Sequence, residues 1–166
     1  MERDRDDMIH KHYDSPEWRR LTELGIEEQD HEHREILWMI MAMRNLVNSS
    51  VKDKSKHNAL KLLVDDAVQF VQRHFAEEES LMSRSGYPGY LDHKKEHEAF
   101  LQRLLDLRAQ VQRNRKPLTT ETVTLMKDWL YRHVLESDRP LIPHLVRSSL
   151  HSRISGGCDD PPGQLK

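Results

Sequence analysis

Histidine placement constrains this chain more than any other feature. Eleven of the 166 residues are histidine, and five of those fall on stripes that also carry Leu, Ile, Val and Phe at helical spacing. Residues three, four and seven apart share one face of a helix. His33 is followed at those intervals by Ile36, Leu37 and Ile40, whereas His31 is followed by Arg34, Glu35 and Trp38. The two are about 200° apart on a helix, so His33 points inward and His31 outward. His74 stands four residues after Phe70 and three after Val71, and Glu78 continues that face towards Leu81 and Met82. His93 and His97 lie in phase with Phe100, Leu101 and Leu104, and His133 follows Trp129 and Leu130 by four and three residues.

A single core-facing histidine is usually a packing residue with one hydrogen-bond partner. Five of them on four facing helices would need five separate buried partners, in cores with few other polar groups. A shared metal centre satisfies all five imidazoles and the Glu78 carboxylate together, and a lone buried carboxylate is otherwise costly. Glu77 and Glu79, off the stripe, read as solvated. Asp138 is open on spacing alone. It lies five residues after His133, about 140° off its face in a regular α-helix. A π-type widening or a helix end would bring both to one site. Alternatively, Asp138 caps a short helix that starts at Arg139-Pro140.

The stripes define four helices. Ile36 to Val47 mark one from about Asp30 to Asn48. Leu60 to Met82 mark a second, with Asp53 or Ser55 as its cap and Gly86 and Pro88 closing it. A third runs from near Tyr90 to the basic stretch before Pro117, and Thr119 or Thr120 caps a fourth over Val123 to Val134. Short connections make neighbours antiparallel, so the expected fold is an all-α, up-down-up-down four-helix bundle. Residues 1–24 read as an N-terminal arm, 25–150 as the bundle with a C-terminal extension, and 151–166 as a flexible tail.

Charge and cysteine usage exclude several classes. The 26 Lys and Arg nearly balance 28 Asp and Glu, which gives no electrostatic case for nucleic acid or an anionic membrane. The longest apolar run, Ile36 to Met43, is eight residues, against roughly 20 for a bilayer span. Cys158 is the only cysteine, so no intrachain disulfide forms, and a cytoplasmic protein is expected.

The ordered set His33, His74-x-x-x-Glu78, His93-x-x-x-His97 and His133-x-x-x-x-Asp138 resembles the seven-ligand signature of the hemerythrins, especially bacterial ones. The surrounding words match as well. They include Leu24-Gly25-Ile26 before Asp30, His74-Phe75 with Glu78-Glu79, Gly86-Tyr87-Pro88 ahead of His93, and Trp129-Leu130 ahead of His133. The resemblance runs over about residues 18–140. It implies a non-haem di-iron centre with an oxo or hydroxo bridge. His93, His97 and His133 would bind one iron, His33 and His74 the other, and Glu78 and Asp138 would bridge them, which draws Asp138 into the site. The two-histidine iron then keeps one open position for dioxygen. Leu130 and Val134, beside His133, would form a dry wall against water and acid. The implied function is reversible dioxygen binding without enzymatic turnover, as carrier, store or delivery protein. The alternative is an oxygen- or redox-sensing module, coupled to a protein partner through the C-terminal extension.

The chain departs from the family pattern at Gln29, which stands where an apolar residue is usual, and at Arg139-Pro140-Leu141-Ile142-Pro143. His10, His12, His31, His57, His144 and His151 fall outside the signature and read as surface residues. His93-Lys94-Lys95-Glu96-His97 also fits H-x-x-E-H, an inverted zinc-peptidase pattern. That reading leaves His33, His74, Glu78 and His133 without a role. Ferritin-like di-iron oxidation needs two inward Glu-x-x-His motifs. Glu28-x-x-His31 is the only one, and it faces out.

Overall fold

A computed structural model describes residues 23–50, 54–113 and 117–147. Helix α1 spans Glu27–Asn48, α2 Lys54–Ser85, α3 Tyr90–Gln112 and α4 Thr120–His133. A π turn over Val134–Asp138 and a 3-10 turn over Arg139–Leu141 follow without a break, and helical backbone continues to residue 147. The four helices form the expected antiparallel bundle, in which α1 packs on α2 and α4, and α2 packs on α3. The arm expected over 1–24 lies outside the described residues except for Glu23 and Leu24, and the tail expected from 151 lies wholly outside them. Among the described residues no helix is long and apolar enough to cross a membrane.

Local chemistry explains the helix ends. Helix α1 begins three residues before the expected start, with Glu27, Glu28 and Asp30 in its first turn, where carboxylates complement the helix dipole. Asp30 turns back to accept hydrogen bonds from the Leu24 and Gly25 amides, which fixes the entering turn, and Gly25 supplies its positive φ of 84°. Ser55 lies inside α2 and so is not its cap; Asp53 falls outside the described residues. At the other end of α2, Gly86 adopts φ 63°. The Tyr87 amide donates to Met82 O at 3.0 Å and the Gly86 amide to Ser83 O at 3.3 Å, a Schellman closure. Gly89 then starts α3 beneath the Tyr87 ring, where a Cβ would meet ring atoms at 2.7–2.8 Å. Thr119 caps α4, its hydroxyl accepting from the Thr122 amide at 3.3 Å.

Antiparallel order decides where the site lies. His33 is near the start of α1, His74 and Glu78 near the end of α2, His93 and His97 near the start of α3, and His133 at the end of α4. In an up-down-up-down bundle those four segments share one end. The rest of the core is apolar: Met43, Val64, Val68 and Val123 are each almost wholly buried, and each such side chain contributes about 1.5–3 kcal/mol by leaving water.

Candidate metal centre

All seven signature residues are buried. Three imidazoles point the same nitrogen at one spot, with His133 Nε2 3.0 Å from His97 Nε2 and 3.1 Å from His93 Nε2. Glu78 Oε2 approaches His97 Nε2 at 3.2 Å and His93 Nε2 at 3.7 Å. Ligand atoms of Glu78, His93, His97 and His133 all lie within 4.8 Å of one another. Across from them, the His33 and His74 rings meet edge to face with centroids 5.0 Å apart.

Asp138 joins the two halves. Its Oδ1 lies 3.1 Å from His133 Nε2 and 3.2 Å from His93 Nε2, while Oδ2 lies 3.2 Å from His33 Nε2. The π turn over Val134–Asp138 is the reason: the wider turn accommodates the extra residue and brings the fifth position after His133 to the same site. Of the two readings the spacing left open, the capping one falls, since the Asp138 side chain makes no cap hydrogen bond to the 3-10 turn.

Carboxylates outside the signature hold the outer nitrogens of three histidines. His74 Nδ1 donates to Glu32 at 2.7 Å, His97 Nδ1 to Glu79 at 3.3 Å and His133 Nδ1 to Glu96 at 3.2 Å. Each bond fixes the ring and leaves Nε2 as the nitrogen for a metal, the usual support of a histidine ligand. Lys94 clamps Glu79, and the Ser137 hydroxyl donates to Glu96 at 2.6 Å. Glu79 is therefore not the solvated residue expected; its side chain keeps 17% exposure, whereas Glu77 is exposed. Glu96 serves His133 in the same way, which leaves the H-x-x-E-H reading without its free carboxylate. Helical phase carried the missed signal: Glu32 is in register with Ile36 and Met39, and Glu96 with His93 and Phe100. Of the remaining histidines, His31 is exposed, His57 and His144 are half-buried, and His10, His12 and His151 lie outside the described residues. His144 is no simple surface residue, because its ring packs on Tyr87 at 5.1 Å.

Aromatic rings and aliphatic groups close the site. Phe75 stacks on His97 at 3.8 Å with a 4° tilt, and Trp129 on His133 at 4.4 Å with 14°. Leu130 and Val134 are 5% and 1% exposed. In this setting burial pushes the His97 imidazole down from its ordinary value, helped by the charges of His133 and His93. Burial works the same way on His133, but Asp138, Glu78 and Glu96 outweigh it and raise that imidazole. For His74, Glu32, Glu78 and Asp138 likewise outweigh burial. Burial would raise Asp138; His133, His33 and His93 instead hold it well below the usual carboxylate range.

The donor set fits a pair of cations. His33 Nε2, Glu78 Oε2 and both Asp138 oxygens are buried without a hydrogen-bond partner among the described residues. His97 and His133, whose Nδ1 protons are held on the far side by Glu79 and Glu96, present facing Nε2 lone pairs 3.0 Å apart, an arrangement that a cation between them would reconcile.

Comparison with known proteins agrees with this geometry. The family model described as "Hemerythrin HHE cation binding domain" matches residues 24–145. A bacteriohemerythrin of Pseudomonas paraeruginosa is 31% identical over 143 residues, covering 84% of this chain and 90% of the relative. A bacteriohemerythrin of Stenotrophomonas maltophilia is 30% identical over 122 residues, covering 74% and 76%. A myohemerythrin of Sipunculus nudus is 39% identical over 87 residues, covering 52% and 63%. In fold, the chain resembles a wild-type hemerythrin crystal structure with TM-score 0.64 and 23% identity, over 70% of this chain and 85% of that one. The chain belongs to the hemerythrin family, which binds dioxygen at a non-haem di-iron centre.

Proposed function

We propose that this chain is a reversible dioxygen carrier or store. In this reading His93, His97 and His133 would hold one iron and His33 and His74 the other, with Glu78 and Asp138 shared between them. Held there, two ferrous ions would supply reversible two-electron chemistry towards dioxygen. The observation that carries the reading is the split aim of Asp138, with Oδ1 towards His93 and His133 and Oδ2 towards His33. A carboxylate so placed serves two metal positions, one with three imidazoles and one with two. The side of His33 and His74 offers one imidazole fewer and would be the side left for dioxygen.

The chain's own residues then have distinct tasks. Glu32, Glu79 and Glu96 orient His74, His97 and His133 through Nδ1, which leaves each Nε2 as the atom that would meet a metal. Five neutral imidazoles and two carboxylates leave the site less anionic than a carboxylate-rich one, which disfavours high-valent chemistry and supports binding without turnover. Leu130, Val134 and Phe75 are buried apolar side chains beside the iron-binding histidines, and they would limit the access of water to the site.

A second reading, an oxygen or redox sensor, has one observation in its favour. Asp138 passes directly into the extension, where Leu141 is buried and His144 packs on Tyr87. A shift at Asp138 would therefore move residues 139–147. Optical spectra of the reduced, iron-loaded protein under O2 and then argon separate the two. A carrier shows an oxygen-dependent band that disappears under argon over repeated cycles. A band that never forms, or a single conversion to a ferric spectrum that argon does not reverse, overturns the carrier reading.

A further inference from the structure

A cleft of about 320 Å³ lies between α3 and the end of α4 and shares His133 and Glu96 with the centre, while its remaining lining residues have no role in oxygen binding as described. One wall is a column of stacked rings. Phe100 lies on Trp129 with centroids 3.7 Å apart and a 13° tilt, and Trp129 lies on His133 at 4.4 Å and 14°. Phe100, Trp129 and His133 all line the cleft, and Trp129 is half-buried, so the column is reachable from solvent at one end and ends at the centre. The rim carries Arg103, Arg132 and Glu136, all exposed. Neither guanidinium has an ion-pair partner among the described residues. The carboxylate of Glu96, also at the cleft, is already taken by His133 and Ser137.

We propose that this cleft is where electrons enter the centre, delivered by an anionic, planar aromatic carrier of the flavin mononucleotide class. The aromatic wall offers apolar ring edges against which a planar ring system can pack edge to face, and the two unpaired guanidinium groups suit a phosphate. Rings in contact from the cleft to a metal-binding imidazole give an unbroken path, with Trp129 as a bridge that is itself neither oxidised nor reduced. The electrons balance simply. A reduced flavin gives up two electrons in single steps and its ring N–H protons leave to solvent, while two ferric ions each gain one electron. The need follows from the chemistry of the site: a centre that loses its electrons to oxygen has no other redox group among the described residues to restore it. This inference rests on the di-iron reading above.

The test uses the full-length, iron-loaded protein with its iron content measured first. Equilibrium dialysis of oxidised flavin mononucleotide against the ferric protein should show saturable binding of one molecule per chain. Riboflavin, which lacks the phosphate, should bind at least about tenfold more weakly, and Arg103→Glu with Arg132→Glu should cause a similar loss. In the anaerobic arm, bleaching of the ferric spectrum by photoreduced flavin mononucleotide should saturate with flavin. It should slow by about tenfold or more in the double arginine variant at subsaturating flavin. Trp129→Leu should slow bleaching at saturating flavin, provided its circular dichroism matches that of the parent; the arginine variants stand independently of its folding. Absence of saturable binding, or equal binding of riboflavin and flavin mononucleotide, overturns the proposal, as does bleaching indifferent to the arginines. With two irons present such a result leaves the di-iron reading intact; a preparation that takes up no iron overturns both.

Discussion

Removing the metal should destabilise the chain by an amount that grows with pH, and the structure sets both the size and the sign. Four buried atoms face the cluster without a hydrogen bond, His33 Nε2, Glu78 Oε2 and the two Asp138 oxygens, and their imidazole–carboxylate contacts at 3.1–3.2 Å become bonds only when an imidazole is protonated there. Each buried unsatisfied polar atom costs about 1–3 kcal/mol, so metal removal exposes a penalty of about 4–12 kcal/mol. That rivals the whole stability of an ordinary domain, about 5–15 kcal/mol. Protonation is the metal-free chain's partial remedy. His74 and His133 are both raised by neighbouring carboxylates, so the stability they give is complete below about pH 6.5 and is lost as pH rises through their raised values. His97 is lowered, so its penalty appears only as pH falls below about 6.5. Asp138, held low, contributes at all pH values above about 4 and loses its contribution only in acid. Above about pH 6.5, therefore, the metal-free chain should weaken with rising pH, by up to about 1.4 kcal/mol per unit for each proton lost. The metal-loaded chain should do the reverse, losing metal and helicity near or below about pH 6 as protons compete for imidazole. Circular dichroism melts at pH 6, 7 and 8.5, with and without chelator, measure both. Chelation at pH 7 should lower Tm by about 10 °C or more, at about 2–4 °C per kcal/mol for a chain of this size. A shift of only a degree or two, or a metal-free Tm that rises between pH 7 and 8.5, would refute the reasoning.

Other substitutions separate the parts of the site. Asp138→Asn keeps the side-chain shape but removes the charge aimed at both halves, and should lower metal affinity by at least about 100-fold in competition titrations with a chelator; unchanged affinity would remove Asp138 from the ligand set. Glu32→Gln weakens the support of His74 alone, and should cost about 10–100-fold in affinity at one of two metal positions, giving a biphasic isotherm. His33→Ala should abolish oxygen binding in the optical assay, whereas His31→Ala should leave it intact, since His31 is exposed. At Gly86, φ 63° with open space around it makes the penalty conformational only, so Gly86→Ala should destabilise the fold by about 1–2 kcal/mol in chemical denaturation without altering metal content.

Helical phase made the inner face of the site readable before any coordinates. His33, His74, Glu78, His93, His97 and His133 each share a stripe with Leu, Ile, Val, Phe or Met, and a regular α-helix turns that shared stripe into a shared direction. Asp138 was different in kind. Its phase is wrong for an α-helix, and the π turn that corrects it leaves no mark in hydrophobic periodicity; only the likeness to the family drew it in. The supporting carboxylates were missed for another reason. Glu32, Glu79 and Glu96 sit at the edges of buried stripes, where a charged residue ordinarily reaches solvent. Their inward turn depends on imidazoles from other helices, over sequence separations of 42, 18 and 37 residues. Helical phase puts Glu32 and Glu96 in register with buried residues, but contacts of that range are a tertiary property, and no single-helix pattern names the imidazole that each will meet. Gln29 belongs with them: it is buried, and its amide reaches Glu32 at 3.5 Å, which places the departure from the family pattern behind His74.

The central claim is that four helices hold two irons between five imidazoles and two carboxylates. Iron per chain, measured by elemental analysis on the purified full-length protein reconstituted with ferrous iron without oxygen, tests it most directly. The parent chain should bind two irons, Asp138→Asn should show a clear loss, and His31→Ala should remain at two. One metal per chain, zinc in place of iron, or no iron at all would contradict it.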